Sequence, residues 1–329
     1  MPQGPTRART RCMLVSLVGL GANVGREMDP RYRTISFLTD YGTQDEFVGV
    51  VRSVIAAIEP RVAVLDLCHD VPRHDVRAGG LMLARAAQYL NPGVVVAVVD
   101  PGVGGDRRAI AVEVGDGVSV LVGPDNGLLA PAVAMVGGAS RAIVLDATDY
   151  HLPGPSSTFD GRDVFGPVAA HLASGVRFED LGSPIDPAGL VPGILPVSEF
   201  ADGQLTAEVL WIDAFGNAQL NADPDQLASQ FEERISLKVR DVHRTARVVS
   251  AFGEVTVGEI GLITDSYGLV SIVTNRTSAA EELGLVEGDE VRLSAPDDAN
   301  ADAGQSVPPV PVTLGRRPDG SQQPLTGDG

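Results

Sequence analysis

The sequence predicts an α/β fold: an N-terminal α/β domain on a mostly parallel sheet, then a smaller all-β C-terminal domain. Three observations carry this expectation. From Thr34 onward, strand-like and helix-like stretches alternate. The strand-like stretches are continuous runs of Val, Ile and Leu, the mark of strands covered on both faces. Beyond SPIDPAGLVPGILPVSEF, residues 183–200 with four prolines, the texture changes to short β-branched runs separated by turns.

The elements follow in order. TISFLTD (34–40) reads as a strand ending in Asp40, and EFVGVVRSVIAAIEP (46–60) as a helix stopped by Pro60. RVAVLDLCHD (61–70) is a second strand ending at Asp70. DVRAGGLMLARAAQYL (75–90) is a second helix with Asp75 as its cap. GVVVAVVD (93–100) is a third strand, ending at Asp100, and AIAVEV (109–114) and VSVLVGP (118–124) are further strands. GPDNGLLAP (123–131) reads as a turn into a short helix. In TFDGRDVFGPVAAHL (158–172), Asp163 is the N-cap or first-turn acid of the helix that follows. The β-rich runs beyond the linker are QLTAEVLWIDAFGNAQLNA, RISLKVRDVH, TARVVSAFG, GLITDSYGLVSIVTN and DEVRLSA.

The expected organisation is therefore 1–32 as an N-terminal extension, 33–190 as the α/β domain, 191–200 as a linker, 201–296 as the β domain and 297–329 as a disordered tail. The extension has a basic start and an apolar stretch broken by glycines, too short to span a bilayer. No clean small-x-small cleavage site follows it, so the expected reading is an over-extended start with Met28 as the true beginning.

Of the 329 residues, 25 are Lys or Arg and 43 are Asp or Glu, a formal net charge of −18. Such a chain repels phosphate backbones and anionic lipid, which argues against nucleic-acid and membrane partners and leaves room for a cationic or zwitterionic small ligand. Two cysteines, Cys12 and Cys68, make no disulfide framework. Five scattered histidines with no CxxC or HExxH give no metal site. The expected setting is cytoplasmic.

Three strand ends carry an acid: Asp40, Asp70 and Asp100. In open α/β sheets ligands bind in the crevice at the carboxyl ends of the strands. Asp also favours strand-to-helix turns for local reasons, so each alone carries little. Arg77 falls in the first turn of a helix, where a cation opposes the macrodipole. It therefore needs an acidic partner, and Asp70 is in reach, although a purely structural ion pair has the same signature. DPGVGG is not GxGxxG and no Walker-type Lys follows, which argues against a phosphate cradle. Asp160 stands just before the helix, where its carboxylate points into space. WIDAFGNAQLN holds an exposed-looking Phe-Gly-Asn turn whose Asn suits an adenine edge, as would a plain hairpin turn.

Taken together, TISFLTDYGTQDEFVG, DLCHDVPRHDVRAGG, VVDPGVGG, VGPDNGLL, STFDGRDVFGPVAAHLA and IDAFGN, in that order and spacing, closely resemble the S-adenosylmethionine hydroxide adenosyltransferase family. That family also contains the fluorinases and chlorinases, and the resemblance runs from about Thr34 to Ala295. It implies hydrolysis of S-adenosyl-L-methionine to adenosine and L-methionine, by attack of water or hydroxide on the ribose 5′ carbon. It implies no cofactor beyond the substrate, and a homotrimer with active sites at subunit interfaces. Asp40 would hold the ribose hydroxyls, and Thr158 and Phe159 would line the ribose and sulfonium pocket. Phe215 and Asn217 would contact adenine, while Asp213, Ser266 and Tyr267 would receive the methionine portion. Asp100 joins these as a substrate-binding candidate. An Asp, an Arg and a His position the water in the hydroxide-using members, and Asp70 and Arg77 match the first two. The family's TFHGRD is TFDGRD here, so Asp160 stands where the His is expected and would face the attacking water. The alternatives are a chloride-using halogenase and a non-catalytic S-adenosylmethionine or adenosine binder. A fluorinase would carry Tyr and Ser at the positions of Asp160 and Gly161, and a longer insertion after the DPGVGG-like loop.

Overall fold

The computed structural model describes residues 30–296 apart from 155 and 195. The expected extension as far as residue 29, and the expected tail from 297, lie outside the described residues. The chain divides into two units between Val197 and Ser198.

The first unit contains β1 (Thr34–Thr39), α1 (Phe47–Ile58), β2 (Ala63–Cys68), α2 (Val76–Ala87), β3 (Val94–Val98), β4 (Ala109–Val114), β5 (Ser119–Pro124), α3 (Ala130–Met135), β6 (Ala139–Val144), α4 (Gly166–Ser174) and β7 (Ser183–Ile185). The sheet order is β2-β1-β3-β5-β4-β6-β7. β2, β1, β3 and β5 pair in parallel, while β4 is antiparallel to both β5 and β6, and β7 is antiparallel to β6.

Both faces of the central strands are covered, which is why they read as unbroken apolar runs. On β3, Val94, Val96 and Val98 face a core shared with Val51 and Ile55 of α1 and Val168 and Leu172 of α4. Val95 and Ala97 face the opposite core, shared with Leu83 of α2 and Ala132 of α3. The period of two along the strand sends alternate residues to the two layers. β2 departs from the expectation: it is an edge strand with one neighbour, and Leu65 remains 39% exposed. The Pro-rich stretch also departs, since its Ser183–Ile185 forms the opposite edge strand, where Pro184 costs no ladder hydrogen bond.

Helix α2 starts where expected, with the Asp75 carboxylate accepting from the Ala78 N–H at 2.8 Å. The helix after Asp160 starts earlier than its apolar pattern indicated. A π-helical turn, Gly161–Phe165, runs directly into α4. Asp163 is therefore the first-turn acid of that turn and not an N-cap: it is buried and held by Arg162 at 2.6 and 2.8 Å.

The second unit contains β8 (Glu199–Ala201), β9 (Gln204–Ile212), β10 (Ala218–Leu220), α5 (Pro224–Gln230), β11 (Arg234–Val239), β12 (Val242–Val248), β13 (Ile260–Thr264), β14 (Val270–Val273), α6 (Ala279–Leu283) and β15 (Glu290–Ser294). The order β10-β14-β13-β12-β11-β15-β9-β8 closes into a barrel through a further β9–β10 pairing. Leu205, Ala207 and Val209 of β9 and Ile235, Leu237 and Val239 of β11 fill its interior. The expected all-β texture is interrupted by the short helices α5 and α6, capped by Asp223 and Ser278. Among the described residues no helix is long and apolar enough to cross a membrane.

Phe165 is fully buried in the first unit's core and ends the π-helical turn. Phe165→Ala is expected to lower the unfolding free energy by about 3–5 kcal/mol, read as a shift in the midpoint of chemical denaturation.

Candidate functional site

Because β2, β1 and β3 are parallel neighbours, the residues that follow them emerge at one edge of the sheet. Asp40 follows β1, His69 and Asp70 follow β2, and Asp100 follows β3. The loops there are tied by backbone hydrogen bonds from the Gly42 N–H to the His69 carbonyl (2.7 Å) and from the Val71 N–H to the Thr39 carbonyl (3.4 Å). Asp40 Oδ2 accepts from the His74 N–H at 2.9 Å, with His74 held at φ 65°. His69 is buried, its Nδ1 2.8 Å from Thr39 Oγ1 and its ring 4.9 Å from Phe37. Its Nε2 is 3.2 Å from Asp66 Oδ1, within ion-pair distance but off the hydrogen-bond line. Asp70 is exposed, and Arg77 is half-buried in the first turn of α2. They stand at either end of the loop that leads into that helix.

The direct partner of Asp160 is a residue the sequence reading did not single out. Arg107 Nε lies 3.1 and 2.9 Å from the two oxygens of Asp100, and its Nη2 is 2.5 Å from Asp100 Oδ2. The same Nη2 donates to Asp160 Oδ2. The three side chains are 5% (Asp100), 13% (Arg107) and 15% (Asp160) exposed, so the cluster is largely shielded from water. Burial opposes the charge of Arg107, but the hydrogen bonds it donates to Asp100 and Asp160, with their negative charge, outweigh it and push its pKa up. The guanidinium also lies 5.6 Å over the Phe165 ring. Both oxygens of Asp100 face Arg107, which places this candidate behind the arginine.

Tyr41 closes the same region. Its hydroxyl occupies the space where a side chain at Gly161 would begin. Burial pushes the phenol pKa well up, and Asp40, Asp100 and Asp160 add to the shift, so the phenol stays neutral. Its ring packs against Phe47 at 5.9 Å and Phe159 at 5.7 Å, and Phe47 and Phe159 meet edge to face at 5.1 Å. The Phe159 ring already carries one cation, the Arg162 guanidinium 5.0 Å over it. Thr158 is exposed beside them, its hydroxyl 3.0 Å from that of Ser156. His151, also missed by the sequence reading, has a buried Nε2 with no hydrogen-bond partner. Burial lowers its pKa, while Asp160 and Asp146 act in the opposite direction.

The remaining candidates sit on two turns of the second unit, built alike. In the β9–β10 turn, Asp213 Oδ1 accepts from the N–H groups of Phe215 and Asn217, both at 2.9 Å, and Oδ2 accepts from Asn217 Nδ2 at 2.9 Å. In the β13–β14 turn, Asp265 Oδ1 accepts from the N–H groups of Tyr267 (2.8 Å) and Leu269 (3.2 Å). Each turn thus spends its leading carboxylate on the backbone and presents an aromatic ring outward: Phe215 is 80% and Tyr267 50% exposed. Ser266 is exposed beside Tyr267. Asn217 spends one amide hydrogen on Asp213, which leaves a second hydrogen and a carbonyl oxygen on the amide. Among the described residues no group of three or more His, Cys, Asp or Glu is placed to hold a metal ion.

Residues 35–182 match the SAM hydroxide adenosyltransferase N-terminal domain, and residues 207–292 match the corresponding C-terminal domain. A protein of Salinispora tropica named (R)-S-adenosyl-L-methionine hydrolase is 45% identical over 262 residues, covering 79% of this chain and 97% of the relative. This chain belongs to the SAM hydroxide adenosyltransferase family. A Thermus thermophilus relative of the same name is 40% identical over 269 residues, covering 79% of this chain and 99% of the relative. A fluorinase of Actinopolyspora mzabensis is 26% identical over 291 residues, covering 79% and 96%. The fold is also that of an uncharacterized conserved protein from Thermotoga maritima, whose crystal structure superposes with a TM-score of 0.74 at 32% identity over 79% of this chain and 99% of that one. The family's N-terminal match carries Asp40, Asp70, Arg77, Asp100, Arg107 and Asp160, and its C-terminal match carries the two aromatic turns.

Gly216 sets the first of those turns. Its φ is 80°, and an added Cβ would collide with Ser278, the residue that caps α6. Gly216→Ala is expected to cost at least about 1–2 kcal/mol from the left-handed backbone alone, read as a lowered thermal midpoint.

Proposed function

We propose that this chain hydrolyses S-adenosyl-L-methionine to adenosine and L-methionine by in-line attack of water on the ribose 5′ carbon. The observation that carries the reading is the gathering of acids where parallel pairing delivers the ends of β1, β2 and β3. There the carboxylates of Asp40, Asp70 and Asp160 stand in one unit with an aromatic cluster, in a chain 40–45% identical to named hydrolases. The relatives' names specify the (R) form. Since L fixes the α carbon, (R) describes the sulfonium centre, and we assign the same epimer to this chain.

A sulfonium leaves as a neutral thioether, so departure needs neither a metal nor a general acid. Positioning of the water behind the 5′ carbon supplies most of the acceleration. The new bond runs from water oxygen to C5′, the C5′–S bond breaks with its electron pair going to sulfur, and the water proton passes to a carboxylate. Asp70 and Asp160 are the acids assigned to hold that water, and Arg77 is assigned with them. Asp40 holds the ribose hydroxyls with the oxygen that His74 leaves free. Phe159 and Tyr41 face the sulfonium, with Thr158 beside the ribose. Phe215 and Asn217 take adenine, and Ser266 and Tyr267 take the methionine portion. Asp213 joins them chiefly by holding the turn. A homotrimer with active sites at subunit interfaces, a cytoplasmic setting and the absence of a cofactor belong to the same reading.

A halide nucleophile fits less well. Carboxylates repel a halide and orient water, and the Tyr41 hydroxyl fills the space that a side chain at 161 would need. The decisive experiment is incubation with each sulfonium epimer in 18O-labelled water, with and without chloride. Adenosine labelled at the 5′ oxygen, formed from the (R) form and unchanged by chloride, is the expected product. Substrate recovered intact would leave a binder, and a 5′-chloro nucleoside would make the chain a halogenase. Asp70→Asn and Asp160→Asn are each expected to lower kcat by about 10²-fold or more, with KM changing far less.

A further inference from the structure

The Gly-rich loop after β3, residues 100–107, resembles a phosphate cradle in composition but has none of its chemistry. The structure gives it another task. Asp100 receives Arg107 with both oxygens, which fixes the guanidinium at the end of its own loop. The loop is folded tightly, with the Val103 N–H on the Asp100 carbonyl (3.3 Å) and the Gly105 N–H on the Gly102 carbonyl (3.0 Å). Two features lock it onto the segment that carries Asp160. Gly104 lies so close to Ser157 that an added Cβ would sit 2.9 Å from the Ser157 carbonyl oxygen. Three residues on, Arg107 Nη2 grips Asp160 Oδ2. The neighbouring Arg108 turns elsewhere, to Asp125 at 2.8 Å. The pairing with Asp160 thus belongs to Arg107 alone of the two adjacent arginines.

We propose that Arg107 is a positioning residue for hydrolysis: anchored by Asp100, it holds Asp160 by one oxygen and so aims the other at the attacking water. This inference rests on the hydrolase reading. It explains why an aspartate at this position does not swing freely: the side chain has two rotatable bonds, and an ionic grip at Oδ2 removes that freedom before substrate arrives. Charged and polar groups near Asp160 come from every neighbouring element: Arg107 and Asp100 from the loop after β3, Tyr41 from the loop after β1, and His151 from the segment before the π-helical turn.

The test compares steady-state kinetics of Arg107→Gln, Arg107→Lys and Asp100→Asn with Asp160→Asn and the Arg107→Gln/Asp160→Asn double variant. Far-UV circular dichroism and thermal melting follow each protein. Arg107→Gln is expected to lower kcat by about 10²-fold, the scale of an ångström-sized misplacement, with KM within about threefold. Arg107→Lys recovers part of that loss, Asp100→Asn loses less than Arg107→Gln, and the double variant is no slower than Asp160→Asn alone. Retention of wild-type kcat in Arg107→Gln, or losses that multiply in the double variant, would overturn the proposal. Should Arg107→Gln fail to fold, Arg107→Lys and Asp100→Asn decide: wild-type kcat in both refutes it, and reduced kcat at unchanged KM supports it. Wild-type protein that forms no adenosine refutes the hydrolase reading itself. An active wild type with kinetically silent Arg107 variants refutes only the positioning role.

Discussion

One cation held between two carboxylates is the interaction on which this site depends. Two acids within reach of a single guanidinium, in a largely shielded cluster, repel each other unless the positive charge stays in place. Arg107 meets that condition, because its own charge is reinforced by both acids. The arrangement is directional as well as neutralising. A guanidinium presents its donors in a fixed planar fork, so seating it on Asp100 determines where its remaining N–H groups point. Asp100, Arg107 and Asp160 thus form a chain of command from the end of β3 to the start of the π-helical turn.

The sheet makes that chain possible. Parallel pairing of β2, β1 and β3 delivers their following residues to one edge, and the two helical layers bury β1 and β3. The π-helical turn matters for the same reason. A turn of this kind displaces the residues before a regular helix, and such bulges recur at functional positions. Here it seats Phe165 in the core beneath Arg107 while leaving Asp160 at the crevice. The core and the site therefore share one anchor.

What the sequence disclosed followed from local rules. The Asp75 cap, the alternation of strands and helices, and the gathering of Asp40, Asp70 and Asp100 all follow from short-range pattern plus the geometry of parallel sheets. The motif order carried the family likeness, and the family matches over residues 35–182 and 207–292 agree with it. What stayed hidden was tertiary. Arg107 and Asp160 are 53 residues apart, and nothing in DPGVGGDRR marks which of its two arginines turns inward. His151 sits in a loop with no periodicity, and its buried nitrogen becomes visible only once that loop is packed. The helices α5 and α6 are seven and five residues long, too short to impose a period on the surrounding β texture. Asp163 is a first-turn acid, as one of its two expected readings has it, but of a π-helical turn, which has no sequence signature distinct from a first α turn.

Charge economy explains why so acidic a crevice can serve a cationic substrate. Carboxylates near a sulfonium stabilise it most when its charge is concentrated, in the ground state. As the C5′–S bond lengthens that charge disperses, so unopposed acids would hold the substrate better than the transition state and slow the reaction. Arg107 offsets part of that field at the point where Asp100 and Asp160 converge. On the proposed reading the sulfonium then meets the aromatic cluster of Tyr41, Phe47 and Phe159, whose attraction is weaker and less dependent on a localised charge. On the proposed reading Asp160 keeps an oxygen for the water, while the guanidinium it shares with Asp100 offsets part of the two carboxylates' attraction for the leaving group's charge.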